Sequence, residues 1–485
     1  MRGINATPTR ARTRDASDRT RRAVLFVMCA GMFLVLLDVT AVNVALPSIR
    51  HDFGAAVPEL QWVVDGYAVT IASLLLAGGT VGDRIGHKRV VLVGLVLFGV
   101  ASAVIGLAPN TGVLIGGRVA QGVGAALLLP GTLAVISRTF PERAEQARAI
   151  GTWAAISSLA LPIGPLLGGA LATMSWRAIF MINMPVVLAA VVGVLRRVPD
   201  DPPGEHRFDP AGLAGVTVTL ASVVFAVIEI GRDGVGPVVV AAFGIAVIAL
   251  LITVAVEHRV AEPMLPPSLI GRAAFLGPNL VALTMNLVFN GTLFITTLYL
   301  QVVRGHGPFA SGAFVLPLAV PLVVLAPVTS RIVGRIGPRT PITAGCLLAL
   351  VGTGVLTLVR RDGSLLPVEG GLLLMGCGAG FVTAAVVAAA VRAIPPERSG
   401  FASGVNNAAR QTGTALGVAI YGAVAGSPSL AGEFTSSYQH LAVASCALWF
   451  VAAVIAATTI ASVRRADRSP SDSAQRPSTS SAVRE

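Results

Sequence analysis

Apolar runs recur along nearly the whole chain, and many reach about 20 residues, enough for a helix to cross roughly 30 Å of hydrocarbon. Fourteen such spans can be marked, near 23–47, 59–80, 90–108, 111–137, 148–172, 177–195, 211–230, 235–256, 273–302, 308–330, 340–359, 366–391, 403–425 and 438–463. The pattern predicts an all-α polytopic membrane protein.

Composition agrees. Of 485 residues, 54% are hydrophobic and 12% charged, about half the charged share of a soluble domain. The net charge of +12 would suit nucleic acid, but Lys and Arg also collect in cytoplasmic loops. With the N-terminus inside, only Arg50, Arg177, Arg232, Arg304, Arg360 and Arg361 fall in outer loops. Both termini are therefore expected in the cytoplasm. Four cysteines, all in apolar runs and none in a close pair, give no metal or disulfide framework. No cofactor, metal or nucleic acid is expected; the expected partners are a small organic substrate, protons and the lipid bilayer, with the chain as a monomer. The basic start (1–22) precedes an apolar run longer than a signal peptide's and is expected to stay as a cytoplasmic tail. Residues 464–485, rich in Ser, Pro and charge, read as a disordered tail.

Two internal echoes organise the rest. "GDRIGHKR" (Gly82–Arg89) after span two matches "GRIGPR" (Gly334–Arg339) after span ten, with Gly86 opposite Gly337. "PERAEQARAIG" after span four matches "PERSGFASG" after span twelve. Both pair span n with span n + 8. This predicts two six-helix bundles (23–196 and 273–463) with two inserted helices between them (197–272). Parallel repeats of this kind build transporters with the substrate site between the halves.

Polar residues inside spans are costly and so mark candidate chemistry. Asp38 lies past the middle of span one, Asp65 in span two and Arg118 in span four. Two carboxylates near one guanidinium can lose their net charge on taking up one proton, as a proton-coupled carrier requires. The alternative is an ion pair that only fixes helix packing. Asn43 stands about 140° around the helix from Asp38 and is expected to face another neighbour. In span five, Ala160, Gly164 and Gly168 recur every four residues beside Pro162 and Pro165, either as simple small-residue packing or as a dry seal between bundles. In span nine, Asn279, Asn286 and Asn290 share one face, suited either to substrate contact or to interhelical hydrogen bonds. The loop with Asp83, Arg84, His87, Lys88 and Arg89 is either ordinary inside charge or a latch in which Asp83 binds across the bundle interface.

Together these residues resemble the major facilitator superfamily, specifically its fourteen-span drug:proton antiporters of the EmrB/QacA type, over about residues 23–463. Gly79, Asp83, Arg84, Gly86 and Lys88 match the cytoplasmic-loop motif, with His87 and Val81 departing from it. Arg118, Gln121 and Gly122 match R-x-x-Q-G. Gly164, Pro165, Gly168 and Gly169 match the antiporter motif, with Ala160 at its first glycine. "LDVTAVNVALP" (Leu37–Pro47) and "WRAIFMINMP" (Trp176–Pro185) match spans one and six. The resemblance implies export of drugs or antibiotics across the plasma membrane by proton-driven alternating access. It makes Asp38 and Arg118, with Asp65, the proton-coupling residues, and the loop-motif residues a conformational latch. Gln121 joins the three asparagines as a substrate-cavity candidate. A proton-coupled importer on the same fold is the alternative; a sensor or intramembrane enzyme is remote, because the His and Cys residues are scattered.

Overall fold

The computed structural model describes residues 8–200, 210–257, 272–394, 399–426 and 431–460. All regular elements among them are helices. The expected C-terminal tail and most of the linkers flanking the inserted helices lie outside the described residues.

The first half comprises α1 (Pro8–Phe53), α2 (Val57–Ile85), α3 (His87–Gly106), α4 (Thr111–Thr139), α5 (Arg143–Ser158), α6 (Ala160–Met174), α7 (Ala178–Met181) and α8 (Asn183–Arg197). The insert is α9 (Pro210–Asp233) and α10 (Pro237–Glu257). The second half comprises α11 (Ala273–Leu298), continued by a π-helical turn (Tyr299–Val303), then α12 (Pro308–Phe314), α13 (Leu316–Ile336), α14 (Arg339–Leu356), α15 (Leu366–Arg392), α16 (Ser399–Ala425) and α17 (Ala431–Thr459). Helix α1 begins inside the segment expected as a basic tail.

Eleven stretches are long and apolar enough to cross a membrane, or up to 12 if the pair Pro308–Phe314 and Leu316–Leu325, bent by 44°, is one span. The stretch Arg148–Met174 counts as one of them although the helix breaks at Leu159. Two of the fourteen expected spans, α2 and α16, are not among them. Helix α2 carries Glu59, Asp65, Asp83 and Arg84, and α16 carries Arg410 among Asn406, Asn407 and Gln411, which makes both more polar. At 29 and 27 residues they are still about 43 and 40 Å long.

The two halves repeat in space as well as in sequence. In the first, α1 packs on α6, α2 on α4, α3 on α4 and α3 on α8; in the second, α11 packs on α16, α13 on α15, α14 on α15 and α14 on α17. These pairs correspond span for span with an offset of eight. The local turns repeat too. Gly86 ends α2 at φ 95° with its N–H on the Gly82 carbonyl, and Gly337 ends α13 at φ 83° with its N–H on the Val333 carbonyl. A backbone at positive φ costs a residue with a Cβ and suits glycine.

Contacts between helix ends define two faces. On the proximal face, where α1 begins, Arg21 pairs with Glu145 at 3.5 Å and Lys88 with Asp200 at 3.0 Å. On the distal face, Asp52 accepts from Trp176 Nε1 (2.9 Å) and Arg177 Nη1 (2.5 Å), while Arg177 Nη2 donates to the Ala108 carbonyl. The halves meet toward this distal face. Gln301 donates to the Val44 carbonyl at 2.8 Å, and Gln61 to the Ala419 carbonyl at 2.7 Å. One apolar cluster runs across both halves there, including Val42, Leu46 and Leu60 with Phe294, Leu298 and Tyr421. Toward the proximal face the halves have separate clusters, one around Met28, Leu95 and Ile136, another around Phe275, Ile394 and Ala402. The molecule is thus closed on its distal side.

The insert straddles that closure. Helix α9 packs on both α2 and α16, whereas α10 packs on α9. Val240, Ile248 and Leu251 on α10 are exposed, as befits a surface turned to lipid.

Candidate functional site

Glycine decides where the central charge sits. A Cβ on Gly122 would come within 2.7 Å of Thr70 Cβ and 2.8 Å of the Tyr67 carbonyl. Its absence lets α4 close on α2 and delivers Arg118, one turn earlier, into the first half. There Arg118 Nε donates to the Val63 carbonyl at 2.8 Å. Its Nη1 donates to Asp38 Oδ2 and, at 2.8 Å, to Gln121 Oε1. The guanidinium lies 4.3 Å over the Tyr67 ring, whose hydroxyl donates to the Val35 carbonyl. Gln121 Nε2 donates to Ser102 Oγ at 2.8 Å, and Asn183 Nδ2 to the same oxygen at 3.2 Å. Asp38, Arg118 and Gln121 are 2%, 1% and 0% exposed. A buried ion pair keeps its value only when its remaining valences are met. Among the described residues Asp38 Oδ1 has no hydrogen-bond partner, so this carboxylate is held by one oxygen.

The expected trio is not assembled. Asp65 is 0% exposed, and among the described residues neither of its oxygens has a hydrogen-bond partner. Val63 and Tyr67 turn toward Arg118, and two residues further along a helix is 200° around it. Asp65 therefore points away, to a different neighbour. Asn43 is also separate from the cluster, donating to the Val39 carbonyl at 2.7 Å.

Sequence reasoning missed Ser102, Tyr67, Asn183 and the Val63 carbonyl. Ser102 and Asn183 are single small polar residues in apolar runs, too common a feature to signal a network. A backbone acceptor leaves no signal at all.

The asparagine face of span nine turns to α16. Asn279 accepts from Asn406 Nδ2 at 3.1 Å and Asn290 donates to Thr414 Oγ1 at 3.1 Å. Asn286 donates to the Ala282 carbonyl of its own helix. A Cβ on Gly417 would come within 2.9 Å of Leu287 Cα, so α11 and α16 are in near backbone contact. Two of the three asparagines thus make interhelical bonds.

The antiporter-motif residues divide between two neighbours. Gly164 lies against Thr40, and a Cβ on Gly168 would come within 2.7 Å of Ala41 Cα, both on α1. Gly169 instead faces the second half, where a Cβ would come within 2.7 Å of the Pro308 carbonyl and 2.9 Å of Phe309 Cα. Gly312 of α12 in turn lies against the Pro165 carbonyl. The same short helix binds α1 on one side and closes the distal seam on the other.

Of the loop motif, Arg84 is exposed, Gly86 makes the turn and Lys88 pairs with Asp200. The side chain of Asp83 and the surroundings of Gly79 lie outside the described residues. Two cavities open on the distal face. One of about 530 Å³ is lined by residues including Gln61, Gly231 and Gly422, and one of about 830 Å³ by residues including His51, Trp176 and Gln301. Neither is lined by Asp38, Arg118 or the asparagines.

Residues 28–418 match the family described as Major Facilitator Superfamily. The chain is 36% identical over 415 residues to the multidrug resistance protein Stp of Mycobacterium tuberculosis (strain CDC 1551 / Oshkosh), covering 84% of this chain and 76% of that protein. It is 34% identical to a lincomycin resistance protein of Streptomyces lincolnensis, with 95% of each chain covered. Among solved structures it is similar to a bacterial homologue of the human lysosomal transporter Spinster, with a TM-score of 0.66 at 17% identity, covering 91% of this chain and 98% of that one.

Proposed function

The chain belongs to the Major Facilitator Superfamily, and on that premise we propose that it exports drugs or antibiotics from the cell by exchanging them for protons. Relatives named for multidrug and lincomycin resistance support the efflux reading. The observation that carries proton coupling is Asp38, buried, tied to Arg118 by one oxygen and, among the described residues, without a hydrogen-bond partner at the other.

In this reading a proton taken up at Oδ1 neutralises Asp38 and weakens its hold on Arg118. Arg118 stays anchored to Val63 and Gln121 while α1 is released from α4. Because α1 also carries the surface against which Gly164 and Gly168 pack, a charge change at Asp38 reaches the helix that closes the distal seam. Gly79, Asp83, Arg84, Gly86 and Lys88 would latch the opposite, proximally closed form. Asn286 is the cavity candidate that remains, Asn279 and Asn290 being engaged between helices and Gln121 between Arg118 and Ser102.

We assign fourteen spans of the EmrB/QacA type by adding α2 and α16 to the twelve apolar ones. The bias of Lys and Arg puts the proximal face in the cytoplasm, so the present form is open inward, in a monomer of the plasma membrane. One proton charge crossing 100 mV supplies about 2.3 kcal/mol. That sustains a roughly 40-fold gradient of a neutral compound.

The test is uptake of lincomycin into everted vesicles under an imposed pH gradient. Acid inside should drive uptake. Uptake driven only by acid outside would mean an importer, and no proton dependence would reject coupling.

A further inference from the structure

Arg118 has a counter-charge, whereas the second half holds a cation without one. Helix α16 carries Arg410, and among the described residues its guanidinium makes no ion pair and no hydrogen bond, with Nε shut away from solvent unpartnered. The helices of that half offer it no acid at its depth. Along the described helices α11 to α17 the acidic residues are Glu369 and Glu433, each in the first turn of its helix at the distal end. In the first half Asp38 is taken by Arg118, and Asp65 accepts no bond from Arg410.

Two rungs between α16 and α11 set the place of Arg410. Asn406, one turn before it, donates to Asn279, and Thr414, one turn after it, accepts from Asn290. Arg410 therefore stands on the α11 side of α16 between these rungs, and Asn286 stands between the same rungs on α11. The two make no bond to each other, since Asn286 Nδ2 turns back to the Ala282 carbonyl. This missing rung falls at the level where the molecule opens. Distal to it the seam is shut, with Gln61 on the Ala419 carbonyl, Trp62 on Phe225 of α9 at 6.3 Å between ring centroids, and Ala68 and Val69 packed with Ala415. Ala415 and Ala419 are buried, whereas Asn407, Arg410 and Gln411, and Asn286 across from them, are half-buried. Arg410 thus lies at the inner end of the proximal opening.

A guanidinium inside a membrane protein that no carboxylate neutralises is costly, and such residues face a water-filled cavity and mark the substrate pathway. Its planar fork of donors matches a carboxylate two bonds at a time. Asn286 keeps a second amide hydrogen beyond the one on Ala282. We propose that Arg410, with Asn286 across from it as a second donor, is the subsite that receives an anionic group of the substrate, a carboxylate or a similar planar oxyanion. The substrate supplies the counter-charge that the second half lacks. The cavity then has a positive side, and the protein prefers organic acids to the matching neutral compounds. Calling the ligand a substrate rests on the export reading, but the binding itself is measured without transport.

The experiment uses purified protein with naphthoate and naphthamide, which share ring and size but differ in charge, and reads affinity by equilibrium dialysis. The unmutated protein should bind the acid about tenfold more tightly than the amide. Arg410→Gln should bring the two affinities together by weakening the acid alone, and Arg410→Lys should keep part of the preference. Equal affinities in the unmutated protein, or an undiminished preference in R410Q, overturns the proposal. If R410Q does not fold, Asn286→Asp decides, because it places a protein carboxylate across from Arg410. The acid should then lose about tenfold in affinity, and an undiminished preference in N286D overturns the proposal. In everted vesicles, absence of proton-driven lincomycin uptake alongside an intact acid preference would sink the export reading and leave the subsite standing. Proton-driven lincomycin uptake without any acid preference in binding would do the reverse.

Discussion

Arg118 of α4 reaches Asp38 of α1 across the first half, and it does so while its Nε is fixed on the Val63 carbonyl of α2 at 2.8 Å. One guanidinium thus ties three helices, with only one of the ties able to change with a proton. Arg118→Lys retains the charge but loses the planar set of five donors that serves Val63, Asp38 and Gln121 together. We expect folded protein with transport at background level; lincomycin uptake in everted vesicles, with expression checked in the membrane, measures it.

Gln121 supports the cluster from the side. Gln121→Ala leaves both Arg118 Nη1 and Ser102 Oγ short of a buried partner, at a cost of about 1–3 kcal/mol. A lower thermal midpoint of the purified protein, together with weakened transport, is the expected outcome. Ser102→Ala should cost at least as much, because it removes the acceptor shared by the buried Gln121 Nε2 and Asn183 Nδ2.

The Gly169–Pro308 contact makes a directional prediction. Gly169→Val forces a side chain into the backbone of α12 and should destabilise the distally closed form by about 1–3 kcal/mol. Spin labels at Ala56 and Val424, exposed on either side of the distal seam, should then report more open protein. Gly164→Val meets α1 of the same half, so it should lower thermal stability with less shift between forms.

The inserted helix can be tested without transport. A double-mutant cycle on Trp62→Ala and Phe225→Ala should return a coupling of about 0.5–1.5 kcal/mol in the thermal stability of the distally closed form. Zero coupling would mean that α9 rests against α2 without holding it.

Much of this was legible in the sequence because charges in apolar runs are rare. Asp38, Arg118 and the glycine ridge were visible as anomalies, and the paired turns at Gly86 and Gly337 gave the repeat. The partners of each residue were not legible. Asp65 and Tyr67 are two residues apart yet face opposite ways, and only the packing of α2 against α4, α9 and α16 tells which side carries which task. Gly164 and Gly169 lie in one motif but meet different halves, since five residues turn a helix by about 140°. The asparagine spacing showed a common face, and Asn406 and Thr414, far away in the chain, decided its use. The fourteen apolar runs of the sequence include α2 and α16, neither of which is among the stretches long and apolar enough to cross a membrane; both pack at the seam between the halves.

The central claim is that Asp38 is the charge that switches. Everted vesicles carrying D38N provide the most direct measurement, with lincomycin uptake followed under an acid-inside gradient and, separately, as counterflow with no gradient. We predict that gradient-driven uptake falls to the level of vesicles without the protein while counterflow persists. Gradient-driven uptake at the unmutated level in D38N would contradict the account.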